Sequence, residues 1–279
     1  MSGFPSPSAL ERFVALAGAD ELDLAWGALL IAGTEYPDLD PAHYVRRLDH
    51  MAAELQELLP HPADSSAAAA VLAEYLFQRL GFRGNTEAYY DPRNSFLNDV
   101  LDRRTGIPIT LSTVYMEVAR RAGIAVTGVG LPGHFVVRLG ARADTLLVDP
   151  FHAGAVLTEA DCQKRLDRIF DGRVKIEARM FEAVNERQIL QRMLRNLKAL
   201  YAKDEDHERI LRVSDLLLVL APDSLEDLRD RGLAYAALDC YGFAVRDLEA
   251  YLLRASEAQR TKELLGTLDV LRRRAARLN

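Results

Sequence analysis

At 279 residues and 49% hydrophobic content, the chain is long enough for one large domain or two ordinary ones around a sizeable core. A net charge of -6 excludes a broad basic surface for collecting phosphates, so nucleic acid is not an expected partner. No run approaches the ~18 apolar residues of a membrane span, and "MSGFPSPSALERF" lacks the basic and apolar regions of a signal peptide, so a cytoplasmic location without a membrane partner is expected.

Helical periodicity runs over Leu10 to Leu16, Glu21 to Ala32, Ala42 to Leu59 and Ser66 to Leu80. Asp40 can cap the third of these while Pro41 takes its first position, where a missing N–H costs nothing. "GFRGNTEAYYDPRN" has the Gly, Asn and Pro content of a connecting loop. Ser95 can then cap a short helix that ends with Arg103 and Arg104 and is stopped by Gly106.

A further helix starts near Pro108, with Leu111, Val114, Tyr115, Val118 and Ala122 as its buried stripe, and ends at Gly123. "AVTGVGL", "HFVVRLG" and "TLLVDPF" read as strands of a small antiparallel sheet. In the last third, Leu194 and Leu228, and Tyr201 and Tyr235, each recur at a spacing of 34 residues. That is the tetratricopeptide period, in a register starting at Gln191 and Leu225, with Gly232, Ala244 and Pro222 at signature positions. Lys198, Ile210, Ser214 and Ser256 depart from the signature, and a capping helix runs to Leu278.

Strand alternation places His134, Val136 and Arg138 on one face and Phe135, Val137 and Leu139 on the other, which faces the core. With "LGARADT" as the hairpin loop and Arg138 opposite Thr145, His134 falls opposite Asp149. Directly opposed residues share a face, so a carboxylate there can hold an imidazole as base and orienting acid. The alternative is a polar pair that stitches two strands.

The order helix, "RRAGI", strand with His, strand with Asp resembles the transglutaminase-like fold. That resemblance puts the nucleophilic cysteine about fifteen residues before Gly123, where the chain has Pro108. Proline offers neither a nucleophile nor a backbone N–H for an oxyanion, and it suits the first position of a helix. Cys162 and Cys240 are the only thiols, too few for a zinc-thiolate site, and both are expected to be free. Ser112 and Thr110 are the hydroxyls that can stand in as nucleophiles, against a first-turn role in satisfying backbone groups.

Other motifs are weaker. Glu35, Asp38 and Asp40 have a spacing suited to a hard cation but equally to turns and caps. Asn94 and Asn98 flank a helix start and can recognise a peptide backbone or make turns. His152 reads as an ordinary loop histidine. "GVGLPG" matches GxGxxG by letter, yet a strand follows it instead of a helix, so it reads as a turn. No metal or cofactor is expected.

"GFRGN", "YYDPRNSFLNDVLDRRTGIPITLS", "GVGLPGHFVVRL", "VDPF" and "EYPDLD" together resemble the bacterial SirB family of transglutaminase-like proteins with C-terminal tetratricopeptide repeats. The resemblance carries the core histidine onto His134 and the aspartate onto Asp149; the cysteine has no counterpart. Related segments occur in a eukaryotic F-box protein, which by analogy suggests protein binding. The expected fold is α+β: a helical N-terminal region over 1–90, a transglutaminase-like core with a small antiparallel sheet over 91–180, and tetratricopeptide-like helices over 181–279. The expected function is a catalytically silent adaptor or regulator that binds a peptide or protein partner around Asn94, Asn98, Pro108 and His134. The competing expectation is an amide or peptide hydrolase or acyl transferase using His134 and Asp149 with Ser112 or Thr110.

Overall fold

The structure, a computed structural model, describes residues 8–141 and 144–278. The chain divides into two compact units, one of Ala19–Met193 and one of Met1–Gly18 with Leu194–Asn279. The fold is α+β, as the sequence implies, and no described helix is long and apolar enough to cross a membrane. Of the stretch 1–13 read for a signal peptide, residues 1–7 lie outside the described residues.

In the first unit, helices α2 (Leu24–Ala32), α3 (Pro41–Leu58) and α4 (Ser65–Ala73) precede the sheet, and α4 continues as a π-helical turn, Glu74–Arg79. Asp40 caps α3 by accepting from the Ala42 N–H at 3.0 Å, with Pro41 as its first residue. Helices α2, α3 and α4 and the sheet fall in this same unit.

Two-residue strands β1 (Arg83–Gly84) and β2 (Thr105–Gly106) pair in parallel around α5 (Leu97–Arg103). Here the structure corrects two expectations. The N-cap of α5 is Phe96, without a side-chain bond, because Ser95 lies in the 3-10 turn Pro92–Ser95 just before it. The helix stops at Arg104 in the left-handed region, while Gly106 is used in β2.

Helix α6 (Pro108–Arg121) is the centre of this unit. Leu111, Val114, Tyr115 and Val118 of the expected stripe are buried and Ala122 is half-buried, but Ser112, Thr113, Met116 and Glu117 on the other sides are buried too. A one-sided amphipathic reading fails because α3 and α5 pack on the helix as well as strands β3 (Val126–Val129) and β4 (Val136–Ala141).

The five-stranded antiparallel sheet has the order β6-β5-β4-β3-β7, completed by β5 (Asp144–Asp149), β6 (Ala155–Leu157) and β7 (Ala183–Val184). Arg138 lies opposite Leu147, not Thr145, so the expected register is off by two residues. The expected loop was too long: Leu139, Gly140, Ala141, Asp144 and Thr145 are paired, and its middle residues Arg142 and Ala143 lie outside the described residues. A two-residue slip preserves the faces, so the side shared by His134 and Asp149 is unaffected.

Phe135, Val137 and Leu139 are buried as expected, yet Val136 on the opposite face is buried too. It packs with Val129, Leu131, Leu157, Cys162 and Phe181. That second cover comes from α7 (Glu159–Phe170), which starts with a capping box in which Thr158 and Asp161 satisfy one another's backbone N–H groups.

The second unit contains α1 (Ala9–Ala17), the C-terminal part of α8 (Glu186–Lys203), α9 (His207–Leu220), α10 (Leu225–Ala237), α11 (Tyr241–Arg254) and α12 (Lys262–Leu278). Helices α10 and α11 pack as a hairpin, and α10 starts at Leu225, where the second expected repeat begins. Gly232 allows α10 and α11 to meet closely, since a Cβ there would come within 2.9 Å of Leu248. Lys198, a departure from the signature, instead bridges α8 and α10 through Asp227 and Asp230, both at 2.6 Å. Asp227 is almost fully buried, so this pair compensates a charge that water does not reach.

Candidate functional site

The histidine is delivered by a turn. Leu131, Pro132, Gly133 and His134 have the features of a type II turn: Pro and Gly at the centre, φ of +67° at Gly133, and a 3.2 Å bond from the His134 N–H to the Leu131 carbonyl. Arg192, on the first part of α8, locks it. Its Nη2 donates to the Leu131 carbonyl at 2.8 Å and the His134 carbonyl at 2.7 Å, and its guanidinium lies over the Phe135 ring at 5.5 Å. Arg192 is distant in sequence and no local motif marks it.

His134 is nearly buried, and its Nε2 lies 2.8 Å from Asp149 Oδ2. Asp149 is fully buried at the end of β5, where Oδ1 accepts the backbone N–H groups of Phe151 and His152 at 3.0 and 3.3 Å. Its other oxygen also meets His152 Nδ1 at 2.9 Å and Arg165 Nη1 at 3.0 Å. Burial alone would raise the pKa of this carboxyl, but the hydrogen bonds from His134 and His152 and the charges of His134 and Arg165 hold it far below the usual carboxylate range. His152 is thus part of the cluster and not an ordinary loop histidine, and Arg165 on α7 is a member that no sequence motif marks.

Among the described residues, His134, Asp149 and His152 are the group whose possible metal-ligand atoms converge, all within 4.8 Å of one another. Glu35, Asp38 and Asp40 are not brought together in this way. Arg165 Nη1 stands 2.7 Å from His152 Nδ1 as well as 3.0 Å from Asp149. A guanidinium therefore occupies the position from which an ion would neutralise the carboxylate, and the donor set fits a cation poorly.

At the head of α6 the hydroxyls of Thr110 and Ser112 lie against backbone groups. Pro108 is its first residue and is buried. Thr110 Oγ1 accepts the Ile107 N–H at 3.1 Å and donates to the Asn94 carbonyl at 2.7 Å, so the hydroxyl and the neighbouring backbone donor are both engaged. Ser112 is fully buried with its Oγ 3.5 Å from the Phe135 carbonyl, a backbone contact. Cys162 lies in the apolar cluster under the sheet, where burial raises its thiol pKa, and Cys240 is exposed in the other unit.

Asn94 is fully buried and internally satisfied: Nδ2 donates to the Ala88 and Tyr89 carbonyls at 2.7 and 3.2 Å, and Oδ1 accepts from Asn85 at 3.0 Å. It holds the loop before α5. Asn98 is buried with Oδ1 lacking a partner among the described residues.

The loop held by Asn94 presents a run of rings. Tyr90 and Tyr89 are 5.4 Å apart, Tyr89 and Phe151 6.1 Å, Phe151 and His134 6.3 Å, and His134 and His152 5.8 Å. Tyr90 is 68% exposed and His134 8%, so the series leads from solvent to the buried pair.

A family model described as the transglutaminase-like superfamily matches residues 42–195, and one described as a tetratricopeptide repeat matches residues 197–266. A UPF0162 protein of Xylella fastidiosa is 41% identical over 246 residues, covering 85% of this chain and 86% of the relative. One from Pseudomonas aeruginosa is 34% identical, covering 86% and 89%. Human F-box only protein 21 is 33% identical over 162 residues, which are 54% of this chain but 25% of that protein. No solved structure matches.

Proposed function

Because the chain belongs to the transglutaminase-like superfamily, with tetratricopeptide repeats after the core, we propose that it is a catalytically silent member of the SirB type. It binds a peptide or protein segment at the His134 surface and acts as a cytoplasmic adaptor or regulator. The observation that carries this reading is the run of rings from Tyr90 to His134, ending at a buried pair whose helix head holds proline. Exposed tyrosines give large contact area at low entropic cost and are enriched where proteins meet. Tetratricopeptide repeats and the F-box relative are in keeping with protein partners.

The test is a peptide library screened against the full chain, with Tyr90→Ala and His134→Ala as variants. A consensus peptide that binds the parent and at least tenfold more weakly both variants is expected. Equal binding by all three would defeat the reading. The His134–Asp149 pair favours one competitor, an amide or peptide hydrolase or acyl transferase using Ser112 or Thr110. Turnover of such substrates by the pure chain, abolished by Ser112→Ala or Thr110→Val, would establish it instead.

A further inference from the structure

A recess lies beside the cluster. It has a volume of about 290 Å³ and is bordered by His152, Val156, Asp161, Lys164, Arg165 and Arg168. That is too small for a whole drug-sized ligand and suits one functional group. The chain as a whole is acidic, yet this recess gathers three cationic side chains and a histidine against one carboxylate, Asp161. Asp161 is itself engaged by Thr158 at 2.7 Å and Lys164 at 3.1 Å.

Arg165 decides what the recess can hold. All its described contacts run through Nη1, to Asp149 and His152. Nε and Nη2 have no partner among the described residues, and they form the edge of a guanidinium that matches two oxygens of one anion. Because Asp149 anchors the Nη1 end, that edge is fixed before any ligand arrives, which lowers the ordering cost of binding. Arg168 borders the same recess, is exposed, and has no partner among the described residues.

We propose that this recess is an oxyanion-binding site, in which Arg165 presents its free edge to a carboxylate or phosphate group and Arg168 contributes a second positive charge. The site goes beyond the peptide-binding reading and does not depend on it. Its ring neighbour His152 stands 5.8 Å from His134, so an occupant lies one ring from the buried pair.

The full chain, labelled with ¹⁵N, is titrated with inorganic phosphate, with acetate, and with sodium chloride at matched ionic strength, while the Arg165 Nε–H and His152 signals are followed. A saturable shift with phosphate, acetate or both, absent with chloride, is expected. The stronger of the two oxyanions separates a phosphorylated from a carboxylate ligand. Arg168→Gln should weaken binding about tenfold, the loss of one charge-assisted contact. Arg173→Gln, exposed and outside the recess, should leave it unchanged. Shifts that follow chloride, or that Arg168→Gln does not alter, overturn the proposal.

Discussion

Arg165 Nη1 lies 3.0 Å from Asp149 Oδ2, the same oxygen that holds His134 Nε2 at 2.8 Å. A fully buried carboxylate thus serves a guanidinium and an imidazole together. Removing the guanidinium leaves a buried charge short of compensation. Arg165→Met should therefore cost about 3 kcal/mol of unfolding free energy, measured by denaturant titration of the full chain. A loss below about 1 kcal/mol, typical of exposed pairs, would show that Arg165 is dispensable.

The same carboxyl sets a pH dependence. Its folded pKa lies below the unfolded value of about 3.9, so the ionised form favours the fold. That contribution is complete above the unfolded pKa and disappears as pH falls through the folded one. Stability should drop below about pH 4 by an amount on the order of 2–3 kcal/mol attributable to this group. Asp149→Asn should flatten that part of the profile, and an unchanged acid limb in the variant would contradict the assignment.

Thr110 and Ser112 should separate clearly. Thr110→Val loses an acceptor for Ile107 and a donor to Asn94, both buried, and should cost about 1–3 kcal/mol. Ser112→Ala loses only a 3.5 Å contact and should cost less than about 1 kcal/mol. Thermal unfolding of the two variants gives the comparison; a reversed order would mean the hydroxyl roles are misassigned.

Arg192→Ala should strip the Leu131 and His134 carbonyls of a shared donor and cost about 2–3 kcal/mol. Amide exchange at residues 131–134 should quicken while exchange within α3 stays slow. Uniform quickening across both would point to global destabilisation and away from a positioning role.

In the repeat unit, Lys198→Met should expose the cost of burying Asp227 alone, about 3 kcal/mol. Adding Asp227→Asn should recover much of it. A double variant no more stable than the single one would show that the two residues are not coupled.

Local signals in the sequence were enough for α2, α3, α4 and α6, the cap at Asp40, the shared face of His134 and Asp149, and the period of 34 residues, because each is written in spacing. Register was not legible, since it depends on where the β4–β5 turn closes and a two-residue slip leaves the alternation intact. Arg165 and Arg192 reach the site from α7 and α8, and nothing in their own neighbourhoods marks the contact. The start of α7 could have been found, because Thr158 followed by Asp161 has the spacing of a capping box. Burial all round α6 was hidden for a different reason: Ser112, Thr113 and Glu117 are polar, and only tertiary packing puts them inside.

The hydroxyl of Thr110 ties the strand of chain at Asn94 to the residue just ahead of Pro108. Because both bonds meet in one hydroxyl, the loop before α5 and the entry to α6 are held by a single side chain, and a change at Thr110 loosens the two together.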